Sequence, residues 1–451
     1  MNSTARYLSA PRPPSRPRRT NLTDRWPPVW EHAAETLKPS GVEPTDVTHA
    51  ADVVVVGYGE IGTKSAAVRR KMLDRLAANL DAVLVDRGLD VAVERTWARL
   101  YLSGPPDVLD DAARAAAEVP GVVWTRPARR CDPTLDAIAE AVCVVADHAP
   151  GESFAIAADR AGADDTHSFV SGDIERVCGS AVLEAIGGSV DLDDPDHVYR
   201  VECREEWADV SRVQYDGPGG LPVGSQGTVV ALVSGGIDSP VAAWQLLRRG
   251  CRVVPLYVDL GAYGGADHRA RAVSTVDRLR RRAPNTDLRL RVAPAGPLVA
   301  DLVGAVSDTR ILSLRRAMLR IAAAVADDVG VRAVATGESM GQKSSQTGPN
   351  LAVTAAAVDL PVHRPLLTWD KADIVACARD LGTFDDATLP VGCERIAPTH
   401  PETAATLAAV RAAEPDDLLE RAARVAREVT VVDPDGDEST SSGTRPEHRS
   451  N

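Results

Sequence analysis

The chain is short of lysine, of aromatic residues and of long apolar runs, and each shortage excludes something. No apolar stretch approaches the ~20 residues that a membrane-spanning helix needs. The N-terminus is rich in Pro and Arg (PRPPSRPRR) and lacks the apolar core of a secretory signal, so a cytoplasmic protein is expected. There are seven cysteines, and no two are spaced CxxC. That pattern fits neither a disulfide framework nor a zinc site. Aromatic residues make up 4% of the 451, so the cores must rest on Val, Leu, Ile and Ala. The 44% hydrophobic content is enough for two or three domains.

Five lysines (Lys38, Lys64, Lys71, Lys343, Lys371) stand against 46 arginines, and the formal net charge is -13. Taken alone, an acidic balance weighs against a nucleic-acid partner, because phosphate contacts need Lys and Arg. An acidic, Lys-poor surface also suits a high-salt solvent. There, repulsion from a polyanion is screened within about 3 Å at 1 M salt, and clustered Arg still builds local phosphate sites.

Composition divides the chain into an expected disordered basic arm (1–50), three folded segments and a disordered acidic tail (435–451). Between 51 and 130 the pattern reads β-α-β-β-α-β, a ferredoxin-like order. It starts with a buried strand at Val53–Val56 and a helix to about Leu80. Strands follow at 83–85 with 91–93 and at 99–102, then a helix over 108–119 and a strand at 122–124. Residues 131–216 form a second α+β unit. A Gly/Pro-rich linker (217–226) follows. From 227 to 434 strands alternate with helices, the pattern of a parallel-sheet α/β domain. Its last predicted helix spans 401–429.

The strongest local signal is Val229-Val-Ala-Leu232-Val233-Ser234-Gly235-Gly236-Ile-Asp238-Ser239-Pro240. A strand runs into a Gly-rich turn and then a helix, with Ser239 as the expected N-cap and Pro240 as the first helical residue. Such a turn aims backbone N–H groups and a positive helix end at one point, which is an anion site. Asp238 adds a carboxylate able to hold Mg2+ against phosphates. No GKS or GKT is present, so this is not a Walker loop.

Gly57-Tyr-Gly59-Glu-Ile-Gly62 fits GxGxxG, follows a strand and opens a helix, and Asp86 stands where a dinucleotide-binding acid could. Two features weigh against that reading. Two adjacent strands follow instead of a repeated βαβ, and the helix carries Lys64, Arg69, Arg70, Lys71 and Arg75, which suits a polyanion. A solvated basic face is the plainer alternative. The polar run Thr336-Gly337-Glu338-Ser-Met-Gly-Gln-Lys343-Ser-Ser-Gln346-Thr347 follows a strand, at the sheet edge where open α/β sheets bind ligands.

From about Asp52 to Asp433 the chain resembles the tRNA 4-thiouridine synthetases (tRNA uracil 4-sulfurtransferases). Gly59-Glu-Ile-Gly-Thr-Lys64 is similar to the start of that family's N-terminal ferredoxin-like domain. Phe154 through Cys203 is similar to a THUMP RNA-binding domain. PGGLPVG, SGGIDSPVAAW, Arg315-Arg316-Ala-Met-Leu-Arg320, GESMGQKSSQT, Arg364-Pro-Leu and Asp370-Lys371 match the family's PP-loop ATP pyrophosphatase domain in order. The resemblance implies that the first two domains bind tRNA and the third adenylates the uridine at tRNA position 8. It implies ATP contacts at Leu232, Val233, Tyr257, Val258, Arg315, Gly337 and Gln346, besides Ser234, Gly235, Gly236, Asp238 and Ser239 of the PP-loop. It also implies a sulfur-carrying persulfide on Cys393, in Leu389-Pro-Val-Gly-Cys-Glu-Arg-Ile-Ala-Pro398. Lys64, Arg69, Arg70 and Arg75 are the expected RNA contacts, and Asp238 the expected metal ligand.

Two departures matter. No rhodanese domain, which some members carry, is expected here. The stretch Asp259-Leu-Gly-Ala-Tyr-Gly-Gly lacks the CxxC of other members. The second thiol and the donor, a cysteine desulfurase persulfide or sulfide, therefore stay open. The sequence is compatible with a homodimer and fixes no oligomeric state. A second reading keeps the PP-loop and directs sulfur toward the thiazole of thiamine. A third, a non-catalytic RNA-binding protein, is weighed against by the intact PP-loop.

Overall fold

The computed structural model describes residues 51–96, 99–162, 166–264, 266–387, 396–433 and 438–440. The N-terminal elements are β1 (Val53–Tyr58), α1 (Ala66–Asp86), β2 (Ala92–Arg95), β3 (Leu100–Ser103), α2 (Leu109–Ala117) and β4 (Val122–Cys131). They are followed by α3 (Leu135–Val145), β5 (Ser153–Arg160), α4 (Ser171–Ala185), β6 (Ser189–Val190), β7 (His197–Cys203), β8 (Ala208–Ser211) and β9 (Tyr215–Asp216).

The first four strands pair in the order β2-β3-β1-β4, antiparallel throughout, as the ferredoxin-like pattern requires. Alternation along β1 explains its unbroken Val run. Val54 and Val56 face the helices with Leu76, Leu80 and Ala112, while Val53 and Val55 face Tyr101 and Ala128 on the other side. The predicted strand at Val83–Val85 is instead the end of α1. Val83 and Leu84 extend the buried stripe of Leu73, Leu76 and Leu80, and that helical period overrides β-branched propensity.

The antiparallel pairing of β1 on both sides also rules out a βαβ dinucleotide unit. Gly57 has a different cause: a Cβ there would lie 2.2 Å from the ring of Trp124. Asp86 is the last residue of α1 and pairs with Arg280.

β4 runs past residue 130. Its end, Arg129–Cys131, pairs with β8, so the sheet continues β4-β8-β7-β5-β6 into the second unit, and β9 returns to Trp124 and Thr125. The two N-terminal units thus share one nine-stranded sheet. In the second unit α3 and α4 bury Ile138, Val142, Ile174 and Val182 against Phe154, Ile156, Tyr199 and Val201.

The C-terminal elements are β10 (Thr228–Leu232), α5 (Asp238–Arg248), β11 (Arg252–Asp259), α6 (Ala266–Arg280), β12 (Leu290–Pro294), α7 (Gly296–Ala305), α8 (Arg310–Asp328) and β13 (Val334–Ala335). Then come α9 (Gly348–Ala355), β14 (Val362–His363), α10 (Lys371–Asp380), α11 (Phe384–Ala387), α12 (Leu407–Ala413), α13 (Leu418–Val425), β15 (Thr430–Val432) and β16 (Glu438–Thr440). The sheet order is β14-β13-β10-β11-β12-β15-β16. The first five strands are parallel, and the last two add antiparallel at the edge.

Residues 401–429 do not form one helix. α12 ends at Ala413, Pro415 removes a backbone donor, and α13 starts afresh at Leu418. The intervening Glu414 binds the fully buried Arg316 through both carboxylate oxygens, at 3.0–3.2 Å.

The linker is ordered and tight. At Gly220 φ is +80°, and a Cβ would lie 2.1 Å from the Arg248 carbonyl, so only glycine fits. Across the interface the buried Asn79 of α1 donates to the Val223 carbonyl (3.3 Å) and accepts from Asn285 (3.0 Å), while Glu60 pairs with Arg249. These contacts hold the N-terminal sheet against the helices that flank the PP-loop.

Candidate adenylation site and RNA-facing sheet

The chain moves outward from β10 in both directions, through β11 and β12 on one side and β13 and β14 on the other. The order reverses at β10, and open α/β sheets hold ligands outside the carboxyl ends of their strands at such a point. The PP-loop lies there, at the end of β10. Helix α5 begins at Asp238, one residue before the predicted cap. Ser239 therefore does not cap the helix but ties the loop. Its Oγ accepts from the Ser234 amide (2.7 Å) and lies 3.0 Å from the Ser234 hydroxyl, which accepts from the Gly236 amide (3.3 Å). Lys371, from the N-terminus of α10, donates to the Asp238 carboxylate. The pair is partly exposed, 48% for the Lys371 side chain and 25% for Asp238, so both charges remain reachable from solvent.

The segment after β13 lies beside it. Gly337 lies flush against the PP-loop helix: a Cβ there would come within 2.8 Å of the Ser239 backbone. Next to it, the buried Glu338 carboxylate accepts from Arg315, from Arg364 Nε (2.7 Å) and from Thr336 Oγ1 (2.9 Å). Burial raises the Glu338 carboxyl, but the two guanidinium groups outweigh it and hold it below the ordinary value. Gln346, oriented to satisfy both amide ends, donates to the Ser339 carbonyl (2.8 Å) and accepts from Arg315 Nη2 (3.3 Å). Arg315 is thus clamped from two sides, with 22% of its side chain exposed. Tyr257 and Val258 are buried, one in the core on each face of the sheet, so the strand backbone is what they can offer a nucleotide.

The N-terminal sheet carries a second cationic array. Arg126 stacks 4.0 Å over Trp124, with Arg99 at 5.4 Å from the same ring; Arg130 lies 4.5 Å from both Tyr101 and Trp207. Burial, and then the nearby Arg200, push the Arg126 guanidinium down to about 10. Arg99 is tied to Glu202 at 3.1 Å. Arg130 is likewise paired with Asp209 at 2.8 Å, so the tier mixes guanidinium groups with the carboxylates that hold them. On α1, Arg70, Lys71 and Arg75 are exposed and Arg69 is half-buried, as is Lys64 just before the helix.

Three family models cover most of the chain: a ThiI ferredoxin-like domain over 53–125, a THUMP domain over 133–213, and the thiamine biosynthesis protein ThiI over 224–418. A probable tRNA sulfurtransferase of Halobacterium salinarum is 51% identical over 388 residues, 85% of this chain and 98% of that protein. The chain belongs to the ThiI family. A tRNA sulfurtransferase of Pyrobaculum aerophilum is 36% identical over 76% of this chain and 69% of its own length. A 4-thiouridine synthetase solved as an RNA complex with bound ATP superposes with a TM-score of 0.72 at 28% identity. That match covers 85% of this chain and all of the other.

Within this ThiI chain the end of β10 with the PP-loop (Leu232, Val233, Ser234, Gly235, Gly236, Asp238, Ser239) meets the segment after β13 at Gly337, beside the Arg315–Glu338–Gln346 cluster. Cys393 lies outside the described residues. Its downstream neighbour Ile396 is fully buried, and Arg310 of α8 donates to the Ile396 carbonyl at 3.5 Å. The other six cysteines are buried or partly buried. Burial raises all of them, Cys131 to about 11 and Cys178 to about 12, and Cys143, Cys203, Cys251 and Cys377 likewise upward.

Sequence reasoning missed Lys371, Glu338 and Arg364 as site residues, although all three stood in the quoted motifs. It also missed Arg99, Arg126 and Arg200, which come from just before β3, from β4 and from β7, and no local pattern links them. Among the described residues no group of three or more His, Cys, Asp or Glu could hold a metal by itself. No helix among them is long and apolar enough to cross a membrane.

Proposed function

We propose that this ThiI-family chain is an ATP-dependent tRNA sulfurtransferase. It adenylates O4 of the uridine at tRNA position 8 and replaces that oxygen with sulfur, giving 4-thiouridine. The observation that carries this reading is the PP-loop site, with the Asp238–Lys371 pair in it. It shares one chain with a ferredoxin-like and THUMP sheet, in the arrangement of a 4-thiouridine synthetase solved with RNA and ATP.

In the first step the uridine O4 attacks the α-phosphorus of ATP. The bond from that phosphorus to the bridging oxygen breaks, and pyrophosphate leaves with the electron pair. The Gly235 amide and the N-terminus of α5 would face the departing phosphates, while the Gly236 amide holds the loop's shape through the Ser234 hydroxyl. Lys371, paired with Asp238, brings a positive charge to the same place. Asp238, partly exposed beside the PP-loop, would hold Mg2+ brought in with the nucleotide, its carboxylate being a suitable oxygen ligand. The metal would offset charge on the phosphates. The Glu338–Arg315–Gln346 clamp holds one guanidinium at the site in a fixed orientation.

In the second step the terminal sulfur of a Cys393 persulfide adds at C4 and AMP leaves, so the RNA is briefly joined to Cys393 through a disulfide. A thiol from outside the chain then cleaves that S–S bond, releasing 4-thiouridine and leaving Cys393 in a disulfide with that thiol, which a further thiol reduces before the next turnover. With sulfide as donor, the sulfur adds directly and no second thiol is needed. The raised pKa values of the six other cysteines support Cys393 as the carrier, because the thiolate is the reactive form. The direct test is pyrophosphate release by the purified protein with ATP. Release that depends on unmodified tRNA supports the reading, and release indifferent to tRNA refutes it.

For RNA binding we assign both cationic surfaces, the α1 face and the arginine–tryptophan tier. Reversing Arg69, Arg70 and Arg75 to Glu weakens tRNA binding and leaves ATP binding intact. The slope of log affinity against log salt falls by about one for each lost phosphate contact. Fluorescence anisotropy with labelled tRNA over a salt series reads both quantities, and an unchanged affinity and slope would reduce the α1 face to a solvated surface.

A further inference from the structure

We propose that the loop between β13 and α9 is an RNA contact of the adenylation domain itself. Lys343 takes a tRNA phosphodiester beside the reacting nucleotide, and Met340 packs on an adjacent base. This inference rests on the tRNA reading above.

The loop is rigid and two-sided. Its inner face is buried, with Glu338, Ser339, Ser345 and Gln346 each at 5% exposure or less. Its backbone is pinned at both ends: the Met340 amide donates to the Leu367 carbonyl (3.0 Å), the Gly341 amide to Gln346 (3.0 Å) and the Gln346 amide to Lys343 (2.8 Å). From this fixed frame Met340 projects with 53% of its surface exposed, and Lys343 is exposed beside it. Apart from Met1, the chain has only two other methionines; Met72 is buried and Met318 packs on the core. An exposed, polarizable thioether on a rigid loop makes a flat apolar contact at little entropic cost.

Charge gives a second, independent line. The chain has nearly abandoned lysine, yet two of its five lysines flank this site. Lys371 is paired with the PP-loop carboxylate, whereas Lys343 is in no ion pair among the described residues. A cation with no ion-pair partner among the described residues, on a chain of net charge -13, suits an anion from outside. ATP phosphates already have the PP-loop amides, Lys371 and Arg315 on the inner side. The outward position of Lys343 instead suits the macromolecular acceptor, whose target base must reach the α-phosphate at this site.

Both residues are exposed, so substitution leaves the fold intact. Steady-state pyrophosphate release is measured against tRNA and against ATP, with 4-thiouridine formation by the unaltered protein as reference. Lys343→Glu raises KM for tRNA about tenfold, flattens the salt slope by about one unit and leaves KM for ATP unchanged. Lys343→Arg restores the tRNA KM. Met340→Ala raises KM for tRNA a few-fold, whereas Met340→Leu does not. An unchanged tRNA KM in Lys343→Glu overturns the inference, as does a rise confined to the ATP KM. If the unaltered protein makes no 4-thiouridine, the parent reading fails and this one with it.

Discussion

Replacing Asp238 with alanine is expected to lower tRNA-dependent pyrophosphate release by about 10²–10³-fold, the scale seen when one preorganised electrostatic group is removed from a transition state. Asp238 does two things at the PP-loop. It supplies the carboxylate available to Mg2+, and it anchors Lys371 by a direct ion pair. Its removal therefore deletes one charge and frees another. tRNA affinity stays unchanged, because the cationic surfaces of the N-terminal sheet lie on other elements. The protein also stays folded, because the Asp238 side chain is partly exposed and the Ser234–Ser239 hydrogen bonds that shape the loop do not involve it. Release assays and tRNA binding run side by side check this, and full release by the variant would refute the PP-loop assignment.

The second large effect separates the two half-reactions. Cys393→Ser is expected to keep tRNA-dependent pyrophosphate release and to abolish 4-thiouridine formation with a persulfide donor. A serine hydroxyl cannot carry the transferable sulfur. With sulfide as donor, the variant regains product if sulfide can attack the adenylated uridine directly. Mass spectrometry of nucleosides after digestion reads the product, and a coupled phosphate assay reads adenylation. Full activity of the serine variant with both donors would show that Cys393 is not the carrier. The six other cysteines are the control set: burial raises each thiol, so their serine variants keep the chemistry.

Much of this architecture is legible in the sequence because local signals agree. The run Val229–Val233, the paired glycines and Pro240 each favour the strand, turn or helix that the structure contains, and the ferredoxin-like order follows from alternating apolar runs. The misreadings have definite causes. Val83–Val85 looks like a strand on propensity, but its burial falls in step with Leu76 and Leu80 on a helix. Pro415 was a visible helix breaker inside the predicted 401–429 helix. Ser239 has the residue type and the place of a cap, between a Gly-rich turn and Pro240, and the structure uses its hydroxyl to tie the loop. The site's remaining parts are tertiary. Lys371 meets Asp238 across 133 positions, and Arg126 meets Arg200 across strands of a sheet whose continuity through β4 no local pattern announces.

The central claim is that this chain puts sulfur on tRNA at the expense of ATP. The measurement that tests it most directly is nucleoside mass spectrometry of unmodified tRNA incubated with the purified protein, ATP, Mg2+ and a persulfide or sulfide donor. The account predicts 4-thiouridine at position 8, formed only when ATP is present, with at least one pyrophosphate released per thiouridine. tRNA that returns unthiolated with both donors, from a protein that binds both ATP and tRNA, would contradict it.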